Sequence, residues 1–350
     1  MTKRWTTAVA LLLAMAAGLE CAQTAARPEP VILDTDIGDD IDDAFALGLI
    51  LTSPELKLVG VTTTFGDTEL RARLVERYLT AAGRGDVPVL AGVKTEAKNV
   101  FTQRAYAEQP HGEERDGCIV RLLSLSVYPT PKAEQDRYDA CEKERRDAVG
   151  FILREAKERP GEITLIAIGA LTNVKTAIAR DPVGFKSLKR VVLMGGSVDR
   201  GYDGQKGERR PPDAEWNFLC DPAGAQALLA SGVPVFVMPL DSTQVHLPSA
   251  EAERIYAHGS AVTDQITLLY HQWAANSGSA TKVPTLFDPV AVTYTFRPDL
   301  CSAEPMRLEV DAKGFSRRVE GKPNAEVCLV ADEAGFLALL EERLTGSAKH

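Results

Sequence analysis

The chain has 350 residues, 45% of them hydrophobic and 25% charged, with a formal net charge of -9. That balance suits a folded protein with a sizeable core and opposes binding to nucleic acid, since no long basic stripe offsets the acidic excess. Length alone permits two domains, but the placement of the polar clusters argues for one.

Lys3 and Arg4 open the chain, a nearly uninterrupted apolar stretch runs from Ala8 to Leu19, and small residues follow to Ala26. This is the layout of a secretory signal peptide over residues 1–26, too short to cross a bilayer comfortably. Glu20 is a poor lipobox residue ahead of Cys21, so ordinary cleavage after Ala22 or Ala26 is expected. The product is a periplasmic or secreted protein with no membrane partner. Five cysteines remain in an oxidising compartment: Cys118, Cys141, Cys220, Cys301 and Cys328. Cys118 is expected to pair with Cys141 and Cys301 with Cys328, each pair being local in sequence. Cys220, in an apolar stretch, is expected to stay free as a small buried hydrophobe.

Apolar runs at Val31–Leu33, Leu58–Thr62, Ile163–Ile168, Val191–Met194 and Val233–Met238 read as strands. They alternate with helical stretches at Asp42–Thr52, Leu70–Ala82 and Asp147–Glu158, and a further helix is expected over Thr263–Ala275. Such alternation implies an α/β fold with an open, mainly parallel (mixed) sheet and helices on both faces. Ligands of these sheets gather at the carboxyl ends of the strands, where the polar clusters fall: Asp34 and Asp36, Gly66–Asp67, Gly169–Asn173, Gly195–Gly196. One pocket drawing on the whole length implies a single domain over residues 27–350. Residues 93–146, polar and irregular, and the Gly- and charge-rich loop 198–213 interrupt the rhythm. Loops of that length are commonly functional or mobile.

Six carboxylates crowd residues 34–43: Asp34, Asp36, Asp39, Asp40, Asp42 and Asp43. Strand alternation points Asp34 and Asp36 the same way, Gly38 permits a turn, and Asp42 and Asp43 open the next helix, where its dipole favours them. Converging carboxylates still repel, and a hard divalent cation resolves the repulsion. Oxygen donors without His or Cys select calcium or magnesium over zinc, and calcium accepts the irregular geometry of a loop.

This acidic block resembles the first motif of the inosine-uridine-preferring nucleoside hydrolase family: an apolar strand, Asp-x-Asp, a glycine turn and Asp-Asp-Ala before a helix. Here the turn carries two extra residues. Other blocks follow in the family's order: Gly169-Ala-Leu-Thr172-Asn173, Met194-Gly195-Gly196, Glu215-Trp-Asn217 with Asp221-Pro222, Pro239-Leu-Asp241, and Asp288-Pro-Val-Ala. The resemblance covers most of residues 30–345 and implies hydrolysis of the N-glycosidic bond of ribonucleosides, through oxocarbenium character at the anomeric carbon. It also implies a calcium ion held by Asp36, Asp43, the Thr172 carbonyl and Asp288, and a metal-bound water that gives its proton to Asp36. Asp34 then supports the loop, Asp42, Glu215 and Asn217 hold ribose hydroxyls, and Met194 packs under the sugar. Family members are commonly dimers or tetramers, so a homodimer or homotetramer is implied.

Three departures stand out. Asp67 occupies a position where many members carry Asn, and a contact to the ribose is the corresponding expectation. Glu208-Arg209-Arg210-Pro211 replaces an Asn that reaches the 5'-hydroxyl, and the two arginines would suit a charged substituent there. Phe287 replaces a His just before the metal-binding Asp. Phenylalanine donates no proton, so either another group protonates the departing base or the base leaves with little help. His111, Tyr270 and His271 are the candidate donors, and Phe287 is a candidate to stack on the base. Purine nucleosides that need base protonation are accordingly expected to be poorer substrates. Two other readings compete. A calcium-dependent nucleoside-binding protein with little turnover is motivated by Phe287. A haloacid dehalogenase-like phosphatase would use Asp34 and Asp36, but leaves Asp42-Asp43-Ala44 unexplained.

Overall fold

The computed structural model describes residues 27–97, 101–109, 132, 143, 146–203 and 208–346. The signal segment, His111, Cys118 and Cys141 lie outside the described residues. The strands are β1 (Glu29–Thr35), β2 (Leu56–Thr63), β3 (Val89–Ala91), β4 (Thr164–Ala167), β5 (Arg190–Met194), β6 (Val235–Met238), β7 (Cys301–Met306), β8 (Leu308–Val310), β9 (Ser316–Arg318) and β10 (Ala325–Ala331). Eight form one sheet in the order β3-β2-β1-β4-β5-β6-β10-β7, while β8 and β9 pair as a separate two-stranded sheet. Every neighbouring pair in the large sheet is parallel except β10 with β7. All five strands expected from the apolar runs lie in the parallel part, as befits strands covered on both faces.

The helices that cover the sheet and frame its pocket include α1 (Asp42–Thr52), α2 (Thr68–Ala81), α3 (Ala148–Glu158), α4 (Thr172–Arg180), α5 (Trp216–Cys220), α6 (Pro222–Ala230), α7 (Ala261–Asn276), α8 (Phe287–Phe296) and α9 (Glu333–Thr345). Side chains of β1 alternate between two apolar layers. Val31 and Leu33 join α1, α2, α7, α8 and α9, whereas Ile32 joins α3, α4 and α6. Aspartates start several helices at defined places: the side chains of Asp67, Asp147, Asp221 and Asp332 each accept a first-turn N–H.

Cys301 and Cys328 form the expected disulfide, tying β7 to β10 across 27 residues. Closing a loop of that size restricts the unfolded chain, so the Cys301→Ala/Cys328→Ala double variant is expected to lose about 3–4 kcal/mol of stability in urea unfolding. Cys220 is free, but half-buried rather than buried.

Candidate active site

The strand order reverses between β1 and β4, and a cavity of about 490 Å³ opens at their carboxyl ends. Asp36, Asp39, Asp40, Asp42 and Asp43 line it from the segment after β1, with Met194 from β5, Glu215 to Asn217 from the start of α5, and Phe287 and Asp288 from the start of α8. Two glycines allow the close approach. Gly38 has φ +126°, and a Cβ there would meet the Phe101 ring at 2.3 Å. A Cβ on Gly169 would lie 2.8 Å from both the amide nitrogen and a carboxylate oxygen of Asp36.

Two helix N-termini bring carboxylates to one point. Asp42 and Asp43 occupy the first turn of α1 and Asp288 that of α8, and these helices pack together. One oxygen of each of the three lies within 4.8 Å of the others, and all three residues are buried. Burial pushes each carboxyl well above its ordinary pKa, and neighbouring charges add to it: Asp40 and Asp36 on Asp42, Asp36 and Asp42 on Asp43, Asp42 and Asp43 on Asp288. Oxygens that share a calcium ion at about 2.3–2.6 Å lie at most about 5 Å apart, so the set fits a hard divalent cation. The Thr35 hydroxyl donates to Asp43 and fixes its rotamer.

Of the expected ligands, Asp43 and Asp288 thus come together, with Asp42 as the third carboxylate. Asp36 lines the same cavity, and its charge acts on all three. Burial raises its pKa to about 7, with Arg71 opposing and the charges of Asp39 and Glu215 adding. Thr172 starts α4, where its carbonyl accepts the Thr176 hydroxyl at 2.8 Å in addition to the helical bond, and it is not among the residues that line the cavity. Asp34 is turned into the sheet and accepts from the Thr62 hydroxyl at 2.6 Å and Asn173 Nδ2 at 2.7 Å. Burial lifts it to about 6 against those two bonds.

Glu215 accepts three backbone N–H groups, from Gly196 (2.8 Å), Asn217 (2.9 Å) and Phe218 (3.2 Å). Burial still raises its pKa to about 7. Asn217 Nδ2 donates to the carbonyls of Met194 (3.1 Å) and Ile168 (3.3 Å), which leaves its carboxamide oxygen for a ligand. Phe287 is on the wall, edge-on to Tyr202 with ring centroids 6.1 Å apart.

Two expected substrate contacts are not brought to the wall. Asp67 caps α2 through the amide of Leu70 and approaches Lys94, so capping explains the residue. Tyr270 donates to the Lys282 carbonyl at 3.1 Å and stacks on Tyr256 at 4.6 Å. Its hydroxyl is engaged in packing α7 and the segment after it.

Several residues of the site were not legible as such. Trp216 and Trp273 line the cavity, and Trp273 hydrogen-bonds Asp40. Arg71 is fully buried and donates to the carbonyls of Asp36, Ile37 (2.9 Å) and Phe65 (2.8 Å) and to the carboxylate of Asp39 (2.8 Å). A signal existed for it: Arg71 shares one helical stripe with Leu74, Val75 and Tyr78, and a cation on an apolar stripe needs a buried partner.

A deep acidic pocket at the switch point of a mainly parallel sheet is the architecture of a metal-dependent α/β enzyme. The sequence pattern of the family described as inosine-uridine preferring nucleoside hydrolase matches residues 31–338. The pyrimidine-specific ribonucleoside hydrolase RihA of Enterobacter sp. (strain 638) is 30% identical over 90% of this chain and 97% of its own length. The plant nucleoside hydrolase PpNRh1 superposes with a TM-score of 0.73 at 25% identity, over 91% of this chain and all of its own. A purine-preferring ribonucleoside hydrolase from Gardnerella vaginalis shares the fold with a TM-score of 0.69 at 22% identity, over 91% and 98% of the two chains. The chain therefore belongs to the inosine-uridine preferring nucleoside hydrolase family and is a ribonucleoside N-glycosyl hydrolase.

Proposed function

We propose that this hydrolase is calcium-dependent, prefers pyrimidine ribonucleosides and uses Asp36 as its general base. The observation that carries the reading is the convergence of Asp42, Asp43 and Asp288 within 4.8 Å beside Asp36. Those carboxylates and the Thr172 carbonyl would hold calcium, which when bound supplies positive charge that lowers the pKa of water and draws the ribose diol.

The protein's own groups account for the remaining chemistry. Asp36 takes a proton from the water that attacks the anomeric carbon, the role its place on the wall and its raised pKa support. Glu215, held rigid by three amides, and the oxygen of Asn217 receive ribose hydroxyls, and Met194 underlies the sugar. Phe287 and Trp216 offer ring faces and edges to the base. A preference for pyrimidines is supported by phenylalanine rather than an imidazole at 287 and by the specificity of RihA. Export by residues 1–26 to the periplasm or medium, and assembly as a homodimer or homotetramer, complete the proposal.

Ribose release from a panel of nucleosides tests it. Uridine and cytidine are expected to be cleaved fastest, cleavage to stop with a chelator and to return with calcium. Release that ignores the chelator would overturn the metal assignment, and tight nucleoside binding without ribose would replace the hydrolase with a binding protein.

Calcium and protons compete for these groups, which gives a pH prediction. Burial lifts Asp36 and Glu215 to about 7, so the metal-free folded state holds protons that the unfolded chain releases. Stability of the metal-free protein therefore falls as pH rises from about 4 through about 7. Calcium competes with protons on Asp42, Asp43 and Asp288, which burial also raises, so its effect on Tm is expected to be larger at about pH 8 than at about pH 5.5.

A further inference from the structure

Hydrolysis leaves an electron pair on the departing ring, and with phenylalanine at 287 the source of a compensating proton is open. The wall of the cavity narrows the choice. Of its carboxylic acids, Asp36, Asp42, Asp43, Asp288 and Glu215 belong to the cation and ribose groups, Asp39 is paired with Arg71, and Asp40 accepts from the Ile41 amide and Trp273. The Thr102 hydroxyl donates to the Asp39 carbonyl at 2.8 Å, and Trp273 is committed to Asp40. Ser277 is an aliphatic alcohol, far too weak an acid. Tyr202 is different. Among the described residues it is the only phenol on the wall. Its oxygen accepts the backbone N–H of Trp216 at 2.9 Å, and among the described residues its own proton has no hydrogen-bond acceptor on the wall.

The phenol is also held in place. Its backbone amide donates to Asp213 at 3.0 Å, and the next amide donates to Gln244 at 2.7 Å. At the start of the same loop, Asp241 accepts from Val198 (2.9 Å) and Asp199 (2.7 Å). Its ring stands edge-on, at 80°, to Phe287, the residue that occupies the usual acid's place, and its oxygen is held by the Trp216 backbone amide. Burial and the nearby Glu215 charge keep it protonated at neutral pH.

We propose that Tyr202 is a catalytic residue that donates its phenolic proton to the departing base, the role phenylalanine at 287 cannot fill. This rests on the hydrolase reading above. As the C1'–N bond breaks, its electron pair passes into the ring, and the ring takes the proton from Tyr202 Oη. The backbone N–H of Trp216 already aimed at that oxygen stabilises the phenolate. Asp36 meanwhile holds the proton from the attacking water, and exchange with solvent returns both groups to their starting states. The sum is nucleoside plus water giving ribose plus free base.

The test compares uridine with p-nitrophenyl β-D-ribofuranoside, whose leaving group departs as a stable anion without a proton. For Tyr202→Phe in the full-length, calcium-loaded enzyme, kcat on uridine is expected to fall about 100-fold, the scale of a general acid, whereas kcat on the nitrophenyl riboside falls by less than about 3-fold. The nitrophenyl reaction doubles as the check that the variant is folded. Equal losses on both substrates, or no loss on uridine, would overturn the assignment. Failure of the unmodified enzyme to release ribose from either substrate would instead overturn the hydrolase reading itself.

Discussion

Asp36→Asn is expected to lower kcat on uridine by about 10³- to 10⁴-fold while nucleoside affinity changes by only a few-fold. The substitution keeps the shape of the side chain and removes its ability to take a proton. A 10³-fold loss corresponds to about 4 kcal/mol of transition-state stabilisation, within what one well-placed base supplies. The surrounding turn should survive, because Arg71 grips the main-chain carbonyls of Asp36 and Ile37 and not the Asp36 carboxylate. Burial and the charges of Asp39 and Glu215 disfavour an anion at this position, so the metal-free variant is expected to melt at a higher temperature than the parent. Single-turnover kinetics with an independent measurement of nucleoside binding checks the prediction. Unchanged kcat would remove Asp36 from the chemistry. A large loss of calcium affinity with kcat recovered at high calcium would make it a ligand alone.

The fold was legible where burial is two-sided. Val31–Leu33, Ile163–Ile168 and Val191–Met194 are apolar runs because helices cover both faces of β1, β4 and β5, and their order in the chain implied the parallel sheet. Strand β7 reads Cys-Ser-Ala-Glu-Pro-Met: it is an antiparallel edge with exposed positions, and nothing in its pattern separates it from a loop. Strand β3 has three residues, too few for a period to register. In the site, residues attached to strand ends and helix starts were readable, since Asp36, Asp43 and Asp288 sit at the junctions where local rules place polar groups. Groups delivered by tertiary packing were not. Tyr202 comes from the Gly-rich loop 198–213, and Trp273 lies at the end of α7 far along the chain, so their arrival at one cavity depends on how loops and helices stack. Asp67 shows the reverse error. An acid after a strand looks like a site residue, yet a helix begins one residue later and uses it as a cap.

Arg71→Met is expected to cost about 3–5 kcal/mol of stability and to weaken calcium binding at least tenfold. The guanidinium has no solvent exposure, lies 5.2 Å from the centroid of Phe101 and 6.0 Å from that of Phe65, and joins three carbonyls to the Asp39 carboxylate. Methionine fills similar volume but leaves Asp39 as a poorly solvated charge without its cation, the costly outcome for a buried pair. Burial already raises Asp39, with Arg71 opposing, so the variant should favour the protonated acid and lose more stability at high pH than at low. Adding Asp39→Leu removes the orphaned charge, and the double variant is expected to recover most of the stability. Calcium affinity should stay low, because the bonds from Arg71 to the Asp36 and Ile37 carbonyls, which set the turn carrying Asp36 toward the cavity, are not restored. Urea unfolding and calcium titration of the three proteins separate the two effects. If the double variant recovered calcium affinity together with stability, Arg71 would be no more than the counter-ion of Asp39.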